Sequence, residues 1–173
     1  MATPVTNNTW AQGHVEPWWD LRHRDLAYFN EAFNNPECLS EWRSLGYTQK
    51  KFTGDMYDMR RSAPEWVSGV EQYFPFKDLS WSVYRMTPGC VLPTHGDTYT
   101  KFKEIYAVPD TATVIRVIVF LEDWASGHYM EMNGCPVVNW RAGDWVSWHD
   151  DFPHLSANVG KTDRYTLQLT GWI

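Results

Sequence analysis

A chain of 173 residues, 43% hydrophobic and 21% charged, has room for one domain with a full core and little room for a second. Its formal net charge of −6, with no run of Lys or Arg long enough to track a phosphate backbone, argues against nucleic acid or an anionic membrane as the main partner. Cys38, Cys90 and Cys135 are widely spaced without a CxxC, so neither a zinc ribbon nor a disulfide framework is indicated and a reducing compartment fits.

Residues 1–77 read as mainly helical. In residues 18–33, Leu21, Leu26, Phe29 and Phe33 fall at roughly helical spacing, and Asn34-Asn35-Pro36 stops the run. Residues 36–45 suit a second helix ending near Gly46. Ser62-Ala63-Pro64-Glu65 reads as a cap with Pro in the first turn, opening a third. The N-terminus lacks a basic segment followed by an apolar one, and no apolar stretch approaches membrane-spanning length. The expectation is a soluble, cytoplasmic protein.

From residue 78 the texture becomes β. Short runs rich in Val, Ile, Tyr, Trp and Thr occupy residues 81–86, 91–94, 113–121, 128–132, 137–140, 144–148, 155–158 and 164–170, with Pro and Gly between them. About eight short strands predict a sandwich or barrel of the jelly-roll type, mainly β, with N-terminal helices packed on one sheet. The expected organisation is a single domain over 1–173, with 1–77 as helical support and 78–173 as the core.

Four features carry chemistry. His95-Gly96-Asp97 projects an imidazole and a carboxylate to one side if it lies on a strand. His154 follows, after one predicted strand and just before the run at 155–158. Two His and one carboxylate that leave positions open form the facial set of non-haem iron(II) oxygenases, so His95, Asp97 and His154 are the candidate metal ligands. His149 is a rival third ligand, read instead as a loop histidine beside Asp150 and Asp151. Arg164 heads a strictly alternating strand: polar residues at 164, 166, 168 and 170 face a wet cavity while Tyr165, Leu167 and Leu169 enter the core. An Arg leading such a face is placed to fork onto a carboxylate. Arg116 interrupts a strand apolar on both faces and requires an anion there, either an internal Asp or Glu or a ligand carboxylate.

The ordered set His95-Gly96-Asp97, Arg116, Gly143-Asp144, Asp150-Asp151, His154, Asn158 and Arg164 resembles the aspartyl/asparaginyl β-hydroxylase branch of the 2-oxoglutarate/iron(II) oxygenases over residues 80–171. That resemblance implies a double-stranded β-helix, the cupin-like barrel. It further implies iron(II) on His95 and His154, with Asp97 as the acidic ligand of the wider superfamily. Arg164 would bind the far carboxylate of 2-oxoglutarate; Arg116 and Tyr84 would help hold the same cosubstrate. Some members of the branch lack the acidic ligand, and the stretch between Asp97 and Arg116 is longer here, with residues 98–112 suited to a lid. The implied reaction consumes 2-oxoglutarate and O2, releases succinate and CO2 and hydroxylates an amino-acid side chain, free or in a protein. A cupin-type metalloenzyme without 2-oxoglutarate and a metal-free jelly-roll module binding peptide or sugar are the competing readings. Trp124, Tyr129, Met130 and Trp140 are candidate pocket walls.

Overall fold

The computed structural model describes residues 10–49 and 52–173. In chain order its elements are β1 (Ala11–His14), a 3-10 turn (Leu21–Asp25), β2 (Phe29–Ala32), α1 (Pro36–Ser44), β3 (Thr53–Asp58) and two further 3-10 turns (Glu65–Val67, Val70–Gln72). There follow β4 (Lys77–Met86), β5 (Val91–His95), α2 (Thr100–Ile105), β6 (Val114–Phe120), β7 (His128–Met132), β8 (Cys135–Val137), β9 (Asp144–His149), β10 (His154–Asn158) and β11 (Arg164–Trp172). Each of the eight β runs expected from residue 78 onward forms a strand, although β8 begins before residue 137 and ends there.

Among the described residues the strands make a sheet in the order β1-β9-β6-β11-β4-β3-β2 and a second in the order β5-β10-β7-β8, paired antiparallel throughout. From β4 to β11 the chain crosses between sheets at nearly every step, as a jelly roll requires. Apolar residues of both sheets meet between them: Ile118, Phe120, Val146 and Trp148 from the larger, Met130, Met132 and Val137 from the smaller. The larger sheet has a second core on its outer face, where Val83, Val117, Val119, Leu167 and Leu169 pack on Trp66, Val67, Val70 and Phe74. Strand β6 is therefore buried on both sides.

The segment before residue 78 differs from its expected form. No helix spans residues 18–33. Asp20 caps the short turn at Arg22, and Leu26 is already extended. The strand from Phe29 then pairs with β3 at the sheet edge. Long-range bonds override the helical spacing: Trp18 donates to Trp66 O at 2.6 Å and Trp19 to Leu121 O at 2.9 Å. Only residues 36–44 give the expected helix, with Asn35 accepting from Glu37 N and Cys38 N and Pro36 at the first turn. The third expected helix is reduced to 3-10 turns, because Gly69 adopts φ 81° between them. The outer face is thus covered by turns, while β1, β2 and β3 extend the sheet. Among the described residues no helix is long and apolar enough to cross a membrane.

Candidate active site

The strand register brings the two histidines together. His95 ends β5 and His154 begins β10, and they are direct partners across the antiparallel pair, with ring centroids 4.3 Å apart. Directly opposed residues share a face of the sheet, so both imidazoles enter the barrel. Each Nδ1–H donates to a carbonyl two residues back, His95 to Pro93 O at 2.8 Å and His154 to Phe152 O at 2.9 Å. That fixes the tautomer and leaves each Nε2 lone pair available. Burial holds both imidazoles neutral: it lowers His95 despite the opposing pull of Asp97, and lowers His154 to about 4.

Asp97 reaches the same point by another route than a strand period. Strand β5 stops at His95, and Asp97 lies in the following loop, where its carbonyl accepts from Asp151 N at 3.0 Å. Gly96 makes that approach possible, since a Cβ there would stand 2.3 Å from Asp151 Oδ1 and 3.0 Å from its backbone. Asp97 Oδ2 is 3.9 Å from His154 Nε2 and 3.6 Å from Arg116 Nη2. Burial opposes the Asp97 charge, but the Arg116 guanidinium outweighs it and keeps the carboxyl below its usual range. The sequence-level alternative for the Arg116 counterion is thereby answered by an internal carboxylate. The Arg116 guanidinium also lies 5.0 Å over the Tyr99 ring.

One ligand atom from each of His95, Asp97 and His154 lies within 4.8 Å of the others. Neutral imidazole nitrogens and an ionised carboxylate at that spacing fit a divalent first-row metal, and two His with one carboxylate match the facial iron(II) set. His149 is outside this cluster.

The triad lines a cavity of about 270 Å³ that also contains Tyr84, Arg116 and Arg164. Arg164 opens β11, where Asn158 ties the preceding turn by donating to Met86 O and Thr162 O. Its guanidinium donates to Tyr129 O at 2.9 Å and to Ser156 Oγ, while its Nε is buried without a partner. Among the described residues no Asp or Glu offsets its charge, and burial lowers its pKa to about 10. The alternation expected of β11 is present: Arg164, Thr166 and Gln168 line the cavity, while Tyr165, Leu167 and Leu169 pack in the outer core. The Tyr84 hydroxyl is pushed up to about 12, by burial first and against the opposing effect of Arg116.

Of the pocket walls expected from sequence, Met130 lines the cavity, whereas Trp124 and Trp140 belong to the core between the sheets, with Trp140 stacked 3.9 Å from Phe120. The Tyr129 side chain bonds Glu131 outside the cavity. Sequence reasoning missed the aromatic surround. Trp148 lies 4.4 Å from His154, Phe33 5.2 Å from His95, and Trp42 donates to Thr94 O beside it. It also missed Ser156, although its i+2 spacing from His154 on β10 was a usable signal.

Residues 98–112 contribute α2, and Tyr99, Phe102 and Tyr106 form one wall of a wider cleft of about 630 Å³ that adjoins the inner cavity at Asp97, Arg116 and Gln168. Lys103 anchors that wall on Asp150 at 3.0 Å.

No family model and no curated protein matches this chain. Among solved structures it is similar to the viral collagen prolyl hydroxylase of Paramecium Bursaria Chlorella virus-1, solved as a 2OG complex: 12% identity over 86% of this chain and 97% of that one, with a TM-score of 0.54. It is also similar to a predicted oxalate decarboxylase from Thermotoga maritima (15% identity, 70% of this chain and 82% of that one, TM-score 0.43). A third is a conserved protein with a double-stranded β-helix domain from Klebsiella pneumoniae (14% identity, 55% and 68% covered, TM-score 0.39). Identities at this level speak to fold alone. The strand order, with the likeness to the viral hydroxylase, gives the chain a double-stranded β-helix fold.

Proposed function

We propose that this protein is an iron(II)- and 2-oxoglutarate-dependent oxygenase that hydroxylates an amino-acid side chain, free or in a protein. The observation that carries the reading is Arg164: a buried guanidinium without a carboxylate partner, in the same cavity as a His-Asp-His cluster. A buried charge without a counterion is costly, and a dianionic ligand with one carboxylate for Arg164 removes that cost. A metal-free module has no use for the triad, and a cupin-type metalloenzyme without 2-oxoglutarate would use such a cation only for a carboxylate of its own substrate. Placement in the aspartyl/asparaginyl β-hydroxylase branch rests on residue order alone. The likeness to a viral prolyl hydroxylase solved with 2OG supports a barrel of this shape as a host for that cosubstrate.

In this reading His95, Asp97 and His154 hold the metal. Arg164 forks onto the far carboxylate of 2-oxoglutarate, with Ser156 and the Tyr129 carbonyl holding the guanidinium in place. Tyr84 keeps its proton at neutral pH, so its hydroxyl can donate to the same cosubstrate. Arg116 keeps Asp97 ionised and oriented. Phe33, Trp42 and Trp148 exclude water around the imidazoles. When bound, iron with 2-oxoglutarate and O2 supplies the oxidising chemistry, releasing succinate and CO2. The test is succinate release from 2-oxoglutarate with iron(II) and O2, compared between the wild type and His154→Ala. Equal release from both would remove the assignment.

A further inference from the structure

We propose that the outer cleft is a substrate subsite for an uncharged hydrogen-bonding group, a carboxamide or a hydroxyl, selected by Ser82, Gln168 and Thr170. The inference rests on the oxygenase reading for the fate of the bound group, not for which group binds.

The floor of the cleft is the inner face of β4 and β11. Gln168 is the register partner of Ser82, and Thr170 of Ser80, so four neutral polar side chains form a two-by-two block. Directly opposed residues present their side chains to the same face. Thr170 is also the partner of Arg116 on β6, which sets the block beside the metal cluster. Further along the barrel the same inner face carries Ile118 and Phe120. The polar block thus continues the polar side of β11 from Arg164 and Thr166 out to the cleft, while the apolar part of this face lies on β6.

The hydrogen-bonding capacity of the block is unused. Ser82 and Thr170 are 8% and 5% exposed, and within the described residues the side chains of Ser82, Gln168 and Thr170 make no hydrogen bond. Ser80 alone donates, to Thr170 O at 3.4 Å. These side chains line the cleft, so their unused donors and acceptors are open to a bound group there. Gln168 lies where the cleft meets the inner cavity, which places its amide at the boundary between substrate and cosubstrate space.

The charges lining the cleft are already matched. Arg116 pairs with Asp97, and Arg60 with Asp58 at 2.8 Å and with Glu31. Lys101 has no ion pair among the described residues, but it is exposed at the rim. A carboxylate or ammonium on the floor would lose its hydration with no opposite charge to meet it. A neutral amide or hydroxyl loses only what Gln168, Ser82 and Thr170 restore. Tyr99, Phe102 and Tyr106 supply the apolar wall for its carbon skeleton.

The experiment uses the full chain with iron(II) under argon and five residues capped as N-acetyl, N-methylamide derivatives: Asn, Thr, Asp, Lys and Leu. Binding is followed on the Gln168 side-chain amide by NMR, with succinate release from added 2-oxoglutarate measured in parallel under air. Capped Asn or Thr should perturb the Gln168 signal and bind about tenfold more tightly than capped Asp, Lys or Leu, the worth of one well-made hydrogen bond. Gln168→Leu should reduce that ratio below about threefold, and Gln168→Glu should turn the preference toward capped Lys. Tighter or equal binding of a charged or apolar member to the wild type, or no binding by any member, overturns the proposal even if the variants do not fold. Selective binding of Asn or Thr without succinate would instead sink the oxygenase reading and leave this one standing.

Discussion

Replacing Arg164 with Met separates what this residue costs the fold from what it gives the site. The guanidinium is buried, and that burial lowers its pKa to about 10. That shift corresponds to roughly 3 kcal/mol of uncompensated charge burial at neutral pH, at about 1.4 kcal/mol per unit. Removing the charge returns this amount, while orphaning the Tyr129 carbonyl and losing the Ser156 contact cost about 1–3 kcal/mol. The ligand-free variant should therefore unfold within a few degrees of the wild type, or above it. Binding behaves oppositely. Loss of a buried, charge-assisted fork costs about 3 kcal/mol, which weakens 2-oxoglutarate by roughly 100-fold or more. Anaerobic calorimetry with manganese(II) in place of iron reads the affinity, and thermal unfolding with and without 2-oxoglutarate reads the linkage. A variant that binds 2-oxoglutarate within threefold of wild type would refute the reasoning, as would a ligand-free Arg164→Met protein that loses more than about 10 °C.

Other predictions concern the metal cluster and its support. His95→Ala or His154→Ala should abolish stoichiometric iron(II) binding in an anaerobic titration, because each supplies an oriented Nε2; retained stoichiometry would remove that residue from the ligand set. Gly96→Ala forces a methyl to within 3.0 Å of the Asp151 backbone, so it should cost about 1–3 kcal/mol, or roughly 3–10 °C in Tm, and weaken metal binding through Asp97. An unchanged Tm would show that the loop gives way freely. For pH, the folded-state His154 sits near 4 and the unfolded one near 6.5, so the unfolded chain binds more protons between those values. Stability of the metal-free protein should fall as pH drops through that window, by about 2 kcal/mol from pH 7 to pH 5 for this group, and His154→Gln should flatten the dependence. Equal slopes in denaturant titrations of the two proteins would count against it.

The core was legible in the sequence because its signals are local. The alternation from Arg164 to Thr170 specified which side chains turn from the core, and the structure keeps that division, with Arg164, Thr166 and Gln168 in the cavity and Thr170 in the outer cleft. The β runs from residue 78 needed only Pro and Gly punctuation to be separated. What stayed hidden depends on contacts between distant residues. Trp18 and Trp19 are fixed by carbonyls at Trp66 and Leu121, and no window of the N-terminal sequence reports that. The partner of Arg116 depended on a loop fold at Gly96 that brings Asp97 beneath β6. Phe33 and Trp42 surround His95 from segments that carry no metal-site motif at all. His95 and Asp97 do converge, but through the packing of Gly96 on Asp151 rather than through the period of a strand.

The central claim is that one cavity holds a metal on His95, Asp97 and His154 and a 2-oxo dicarboxylate on Arg164. Its most direct test is an anaerobic optical titration of the protein with iron(II) and then 2-oxoglutarate, followed by exposure to air and measurement of succinate. The account predicts a metal-to-ligand charge-transfer band that appears only with both additions, is lost in His154→Ala, requires far more 2-oxoglutarate in Arg164→Met, and decays in air as succinate forms. An iron(II)-loaded protein that shows no band with saturating 2-oxoglutarate and releases no succinate would contradict it.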